Sequence, residues 1–203
     1  MLKQMTTNTN TSSPLSLQLK HDTAEKHEAM HQLMERCHPF SSRINYAQFV
    51  AAQYIFQLDV EGLFSAPEIQ AVIPDLEVRG RVVASRADLN DLGMTPPDIP
   101  TRTDITMPAA LGWLYVSEGS TLGAAFLLKE AKDKLGLSEE FGARNLAAYP
   151  EGRAIIWRRF TSYLDHAQLS EQDKAEVVSG AHAAFDRFGG LLRHFFKLDS
   201  QSS

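Results

Sequence analysis

The chain has 203 residues, 43% hydrophobic and 22% charged, with a net charge of -5, proportions that suit one globular domain with a sizeable core. An acidic balance excludes non-specific nucleic-acid binding through a basic face, and the lone Cys37 excludes a disulfide framework or a cysteine-built metal cage. No apolar run approaches the ~20 residues that span a bilayer, and no basic segment followed by an apolar one opens the chain, so the expectation is a cytoplasmic protein with no signal peptide and no membrane partner.

Residues 1–14 are rich in Thr, Asn and Ser and carry too little apolar surface to offset the entropy of ordering; they are predicted to form a flexible tail. One domain is expected over 15–198, with a short C-terminal tail at 199–203. From Leu15 onward helical spacing dominates. A first helix is predicted from Ser16 to Cys37, stopped by Pro39. A second spans Asn45 to Phe64, with Phe49, Gln53, Phe56, Val60 and Leu63 on one stripe. A short turn around Pro67 to Ile73 leads to a charged helix from Leu76 to Leu92.

Pro96, Pro97 and Pro100 make 93–106 a loop. A helix from Met107 to Leu135 follows, then one over Ser138 to Ala147, and one from Glu151 to His166 that turns Ile155, Ile156, Phe160 and Leu164 inward. Ser170 to Asp173 resembles a capping box at the head of a long final helix, with Asp in place of the usual Glu or Gln. Its inner face carries Val177, Val178, Ala181, Phe185, Phe188, Leu192 and Phe195. The predicted fold is all-α, a bundle-like stack of some seven or eight helices.

Within the helix after the proline loop, Gly119 and Gly123 stand four residues apart. Each costs ~1 kcal/mol relative to alanine in a helix interior. Together they bare a strip of backbone on one face, where a flat ligand can lie without meeting a Cβ. Close helix packing or a kink is the commoner reason for such a pair.

Other chemistries lack their residues. Gly119 to Gly123 reads Gly-Ser-Thr-Leu-Gly, without the order or the preceding strand of a nucleophile elbow, and there is no glycine loop with a phosphate-binding lysine. Glu28 to His31 is one Glu-x-x-His motif, but a di-iron bundle needs a second. Of the histidines, His21, His27, His31 and His38 cluster near the first helix, and His166, His182 and His194 lie toward the end. His27 and His31 are four apart, a spacing that suits either metal chelation or a solvated pair. Neutral imidazole is also the usual axial ligand of a haem, and a haem is a flat ligand of the kind a glycine-bared helix suits.

Six blocks carry a family resemblance: Thr23-Ala24-Glu25-Lys26-His27, Pro39-Phe40-Ser41-Ser42-Arg43, Phe49-Val50-Ala51-Ala52-Gln53-Tyr54, Ala110 to Ser120, Phe141-Gly142-Ala143-Arg144 and Ala184 to Gly189. In this order they resemble the bacterial haem oxygenases of iron acquisition, over Leu15 to Phe196. The resemblance implies the all-α haem oxygenase fold, with haem held between the first helix and a glycine-kinked distal helix. It implies cleavage of haem to biliverdin, carbon monoxide and ferrous iron, with haem as substrate and cofactor, O2 as oxidant and electrons from an external reductase of ferredoxin/flavodoxin or NADPH-dependent type, in a monomer.

By the same resemblance His27 is the proximal iron ligand, while Gly119 and Gly123 are the distal glycines that touch the macrocycle. Ser120 takes a position where animal relatives carry an aspartate that anchors distal water. Lys20 and Tyr115 match the propionate partners of members that cleave at the α position, and Glu35 and Glu130 stand where a δ-selective branch has lysines. Carboxylates there would repel a propionate, so biliverdin IXα is the expected product. Some relatives place a glutamate four residues after the proximal histidine, where this chain has His31. Arg158 and Arg159 are further propionate candidates, though such a basic pair is more often a solvated face. A haem carrier or sensor without turnover is the competing expectation.

Overall fold

A computed structural model describes residues 13–198 of the chain; the expected tails, apart from Ser13 and Pro14, lie outside the described residues. Eight α-helices and two short 3-10 turns make up the described fold, which has no β-strand beyond isolated bridges around Ser138. No helix in it is long and apolar enough to cross a membrane.

The predicted first helix is two, α1 (Leu15–Asp22) and α2 (Ala24–Cys37). The break falls at Thr23, whose hydroxyl donates to the Leu19 carbonyl at 2.8 Å, the back-bonding that bends helices at Thr. Helical bonding continues across it, since Thr23 N donates to Leu19 O at 3.0 Å and His27 N to Thr23 O at 2.9 Å. α2 ends where His38 turns left-handed, one residue before Pro39.

α3 (Arg43–Glu61) begins two residues earlier than expected, because Ser42 accepts from Asn45 N at 3.1 Å and caps it. It runs through the core, with Tyr46, Phe49, Val50, Ala51, Ala52 and Ile55 all but fully buried. Phe56, Val60 and Leu63 of the expected stripe are also buried. α4 (Pro67–Val72) matches the expected turn.

The predicted helix over 76–92 is instead a 3-10 turn (Leu76–Arg79) and α5 (Val82–Asp91). Gly80 is extended between them. Here the Glu61 carboxylate, from the end of α3, accepts the backbone N–H groups of Arg81 and Val82. A remote acid thus supplies the capping that no neighbouring residue provides.

α6 (Ala109–Leu135) is the expected long helix, closed by a left-handed Gly136. The helix predicted over Ser138 to Ala147 does not form. Gly142 is left-handed at φ 75°, and the carboxylates of Asp91 and Asp88 take the N–H groups of Gly142 (2.9 Å), Arg144 (2.9 Å) and Asn145 (2.8 Å). What remains is a 3-10 turn, Arg144–Leu146.

α7 (Arg153–His166) buries Ile156, Phe160 and Leu164, but Ile155, expected inward, is 46% exposed. α8 (Glu171–Phe195) has both halves of the capping box, with Ser170 N donating to Asp173 Oδ2 at 2.8 Å and Asp173 N to Ser170 Oγ at 3.1 Å. Val177, Ala181 and Leu192 are buried as expected, while Val178, Phe185, Phe188 and Phe195 are half-buried against the core.

α8 is the common wall of the molecule, packed against α6, α3 and α2. Its crossing with α6 is made by two glycines. A Cβ on Gly112 would lie 2.1 Å from Val177 O, and one on Gly180 would lie 2.1 Å from Ala109 O. Close helix packing is therefore real here, but it belongs to Gly112 and Gly180, not to Gly119 and Gly123.

Candidate active site

At 100° per residue, the face of α6 that Gly112 turns to α8 continues through Tyr115, Gly119, Leu122, Gly123 and Phe126. Along that face burial gives way to exposure. Gly112 is buried, Tyr115 and Gly119 are half-buried, and Gly123 lies open beside Leu122 (39% exposed) and Phe126 (77% exposed). A Cβ at Gly119 would only touch the Trp157 ring at 3.6 Å, and one at Gly123 would meet nothing within 4 Å. Protein packing therefore requires neither glycine, and the bared strip is free to receive a ligand.

The flank of α6 beside this strip is anchored to the rest of the fold. Glu118 is buried and accepts from Arg79 Nη1 at 2.5 Å and from the Tyr149 hydroxyl at 3.0 Å. Burial pushes its carboxyl up, against the downward pull of Arg79 and Tyr149. Arg79 in turn holds Asp75 by two bonds, Nε to Oδ1 at 2.9 Å and Nη2 to Oδ2 at 2.8 Å, and lies over the Phe160 ring at 5.3 Å. Phe160 stacks on Trp157 at 5.9 Å, and Trp157 contacts Tyr115 at 5.5 Å. The aromatic chain thus links the buried ion pair to the wall of the strip.

Hydroxyl groups and an arginine act on the α6 backbone between the glycines. Ser120 Oγ donates to Ser117 O at 2.7 Å, Thr121 Oγ1 to Glu118 O at 2.7 Å, and Arg153 Nη1 to Thr121 O at 2.9 Å. Competing donors of this kind favour helix bending. Ser120 is exposed, with its proton engaged by the backbone.

His27 is exposed on α2, in edge-on ring contact with Phe185 of α8 at 6.4 Å and beside His31 at 4.4 Å. Partial desolvation, and then the charge of His31, hold its imidazole below the ordinary histidine value. The neutral form that ligates metals is thereby favoured. Glu28 acts in the other direction. Among the described residues no group of three or more His, Cys, Asp or Glu could hold a metal ion.

Lys20 is exposed near the end of α1, and Tyr115 is half-buried with its phenol pushed up by burial. Glu130 is paired with Lys134 at 3.1 Å, and Lys129 with Asp133. The two arginines considered for propionates are engaged elsewhere: Arg158 donates to Ala154 O at 3.3 Å, and Arg159 pairs with Glu151 and with Asp75 at 3.4 Å. A shallow depression over Ala24, Glu25, Glu28, Ala29 and Gln32 is lined by α2 alone and lies on a different face of that helix from His27.

Sequence reasoning did not identify Arg79, Tyr149, Trp157 or the anchoring role of Glu118. A mid-helix Glu beside a glycine was the one signal available, and its partners Arg79 and Tyr149 come from two distant segments.

Comparison with known proteins agrees with this geometry. A sequence model of the Heme oxygenase family matches residues 13–194. Heme oxygenase PigA of Pseudomonas aeruginosa is 46% identical over 177 residues, 86% of this chain and 89% of the relative. A heme oxygenase of Xanthomonas campestris is 32% identical over 150 residues, 72% of this chain and 88% of the relative. Among solved structures, the NO- and CO-bound heme oxygenase of Neisseria meningitidis superposes with a TM-score of 0.88 at 36% identity, over 94% of this chain and 96% of that one. Heme oxygenase of Leptospira interrogans, at 19% identity and a TM-score of 0.76, covers 89% of this chain and 99% of that one, and supports the fold. With a family match across nearly the whole domain and relatives of 46% and 36% identity aligned over most of their length, this chain belongs to the heme oxygenase family and is a haem-degrading oxygenase.

Proposed function

We propose that the enzyme cleaves haem to biliverdin IXα, carbon monoxide and ferrous iron, as a monomer serving iron acquisition, with electrons from an external reductase of ferredoxin/flavodoxin or NADPH-dependent type. The observation that supports the site assignment is the open space over Gly123, where nothing beyond its own helix backbone and chain neighbours lies within 4 Å of an added Cβ. Bound haem supplies the iron and the oxygen chemistry.

In this reading His27 ligates the iron through a neutral ring nitrogen. Gly119 and Gly123 would bring bare backbone against bound haem, and that close approach would restrict the direction of attack. The Ser120 hydroxyl, tied to Ser117 O, leaves its lone pairs for a distal water, and proton delivery runs through ordered water and backbone groups. Lys20 pairs with a propionate, and the Tyr115 hydroxyl, kept protonated, donates to one. Glu35, exposed, and Glu130, already paired with Lys134, offer propionates no competing anchor. Haem is thereby rotated to present its α-meso edge.

Reconstitution with haem, a reductase and air, followed by separation of the biliverdin isomers, is expected to give mainly IXα. A mainly δ or β product would overturn the orientation. Replacing Lys20 by Asn together with Tyr115→Phe is expected to broaden the isomer distribution without abolishing turnover.

A second expectation separates ligand contact from folding. Gly123→Ala meets no neighbour and gains up to ~1 kcal/mol of helix propensity, raising the Tm of the haem-free protein by roughly 2–4 °C. The same methyl projects over the macrocycle, so haem affinity and turnover fall. Parallel losses in Tm and haem binding would instead assign the glycine to the fold.

A further inference from the structure

We propose that His27 and His31 form a chelating site for a divalent transition-metal ion of the copper or nickel class in the haem-free protein, so that such an ion blocks haem uptake. The chelate stands on the geometry of α2; the competition rests in addition on the assignment of His27 to the haem iron.

The two residues are one turn apart on the same face, the spacing at which helix side chains meet. Both are exposed, and their ring centres are 4.4 Å apart with planes at 52°. A metal about 2.0–2.1 Å from a ring nitrogen lies about 3.2 Å from the ring centre. Rings separated by 4.4 Å then subtend about 90° at the metal, the cis angle of tetragonal and octahedral sites and narrower than a tetrahedral one. That angle selects Cu2+ and Ni2+ over Zn2+, and imidazole suits both ions.

Other histidines are committed elsewhere. His21 Nδ1 contacts Asp22 Oδ1 at 2.8 Å, His182 Nε2 contacts Asp22 O at 2.8 Å, and His166 Nδ1 contacts Ser162 O at 2.7 Å. Neither the His27 nor the His31 ring has a hydrogen-bond partner among the described residues. Exposed carboxylates at Glu28 and Glu35, on a chain of net charge -5, favour an approaching cation. No third protein ligand joins the pair among the described residues, so water completes the coordination and the site is of moderate affinity. An iron ligand exposed in this way is open to any cation that its neighbour helps to hold.

The test uses haem-free protein titrated with Cu2+, followed by calorimetry and electron paramagnetic resonance. Wild type is expected to bind one Cu2+ through two imidazole nitrogens. In His31→Ala one nitrogen disappears and affinity falls by at least about tenfold, since loss even of a ligand's outer-shell partner costs ~10–100-fold. His166→Ala serves as the control and is expected to match wild type, while circular dichroism verifies folding of each variant. Equal copper affinity in wild type and His31→Ala overturns the chelate.

A second arm measures haem uptake in the presence of Ni2+, which is expected to slow wild type and leave His31→Ala unaffected. Should calorimetry show Ni2+ bound at the pair while haem uptake at saturating Ni2+ is unchanged, the chelate stands and the competition is overturned.

Discussion

Replacing His27 by alanine is expected to reduce haem turnover by at least ~100-fold, because removing a ligand exceeds the ~10–100-fold effect of disturbing its outer-shell partner. Absorption and resonance Raman spectra of the reconstituted variant should lose the iron–histidine signature, and exogenous imidazole should restore part of it. The side chain is exposed and outside the core, so stability should stay within about 0.5 kcal/mol of wild type. Because His31 lies one turn away with its ring 4.4 Å from that of His27, the decisive comparison includes the His27→Ala, His31→Ala double variant. Turnover within a fewfold of wild type in that double variant would remove His27 from the mechanism.

The second large effect concerns the fold. In Gly112→Ala the new methyl would sit 2.1 Å from Val177 O and 2.4 Å from Ala181 N, both backbone atoms that no rotamer change can move. α6 and α8 must separate, and the packing lost along their interface far exceeds the ~1 kcal/mol gained in helix propensity. A net destabilisation of about 3 kcal/mol or more is expected, lowering Tm by roughly 6–12 °C. Urea unfolding monitored by circular dichroism reads it directly. An unchanged midpoint would show that the two helices do not cross this closely. Gly112→Ala and Gly123→Ala, the same chemical change on one helix, are thus expected to move stability in opposite directions.

That contrast also marks what could be read before the fold was known. Glycines at 119 and 123 announce themselves by spacing alone, whereas the role of Gly112 depends on Gly180, 68 positions along the chain, and no local pattern connects the two. Local chemistry was legible where it was self-contained: the Ser170–Asp173 cap, the stop at Pro39, and the apolar stripe of α3. It failed where a distant side chain took over a backbone donor. Glu61 starts α5 from the far end of α3, and Asp88 and Asp91 claim the N–H groups that a helix over 138–147 would have used. The site followed the same rule. Resemblance points to His27, Lys20, Tyr115 and the glycines as the proposed site, but Arg79, Tyr149 and Trp157 converge on α6 only in three dimensions.

The pairing of Glu118 with Arg79 and Tyr149 bears on how the glycine segment can change. A stretch of helix stripped of side chains has little stiffness of its own; here the stiffness comes from the side, through a carboxylate one residue from Gly119 clamped to a fixed guanidinium. Floor and foundation are separate parts. On the proposed placement of haem, residues facing the ligand are expected to be exchangeable to alter where the macrocycle is cut, while the bracing alongside keeps the platform level.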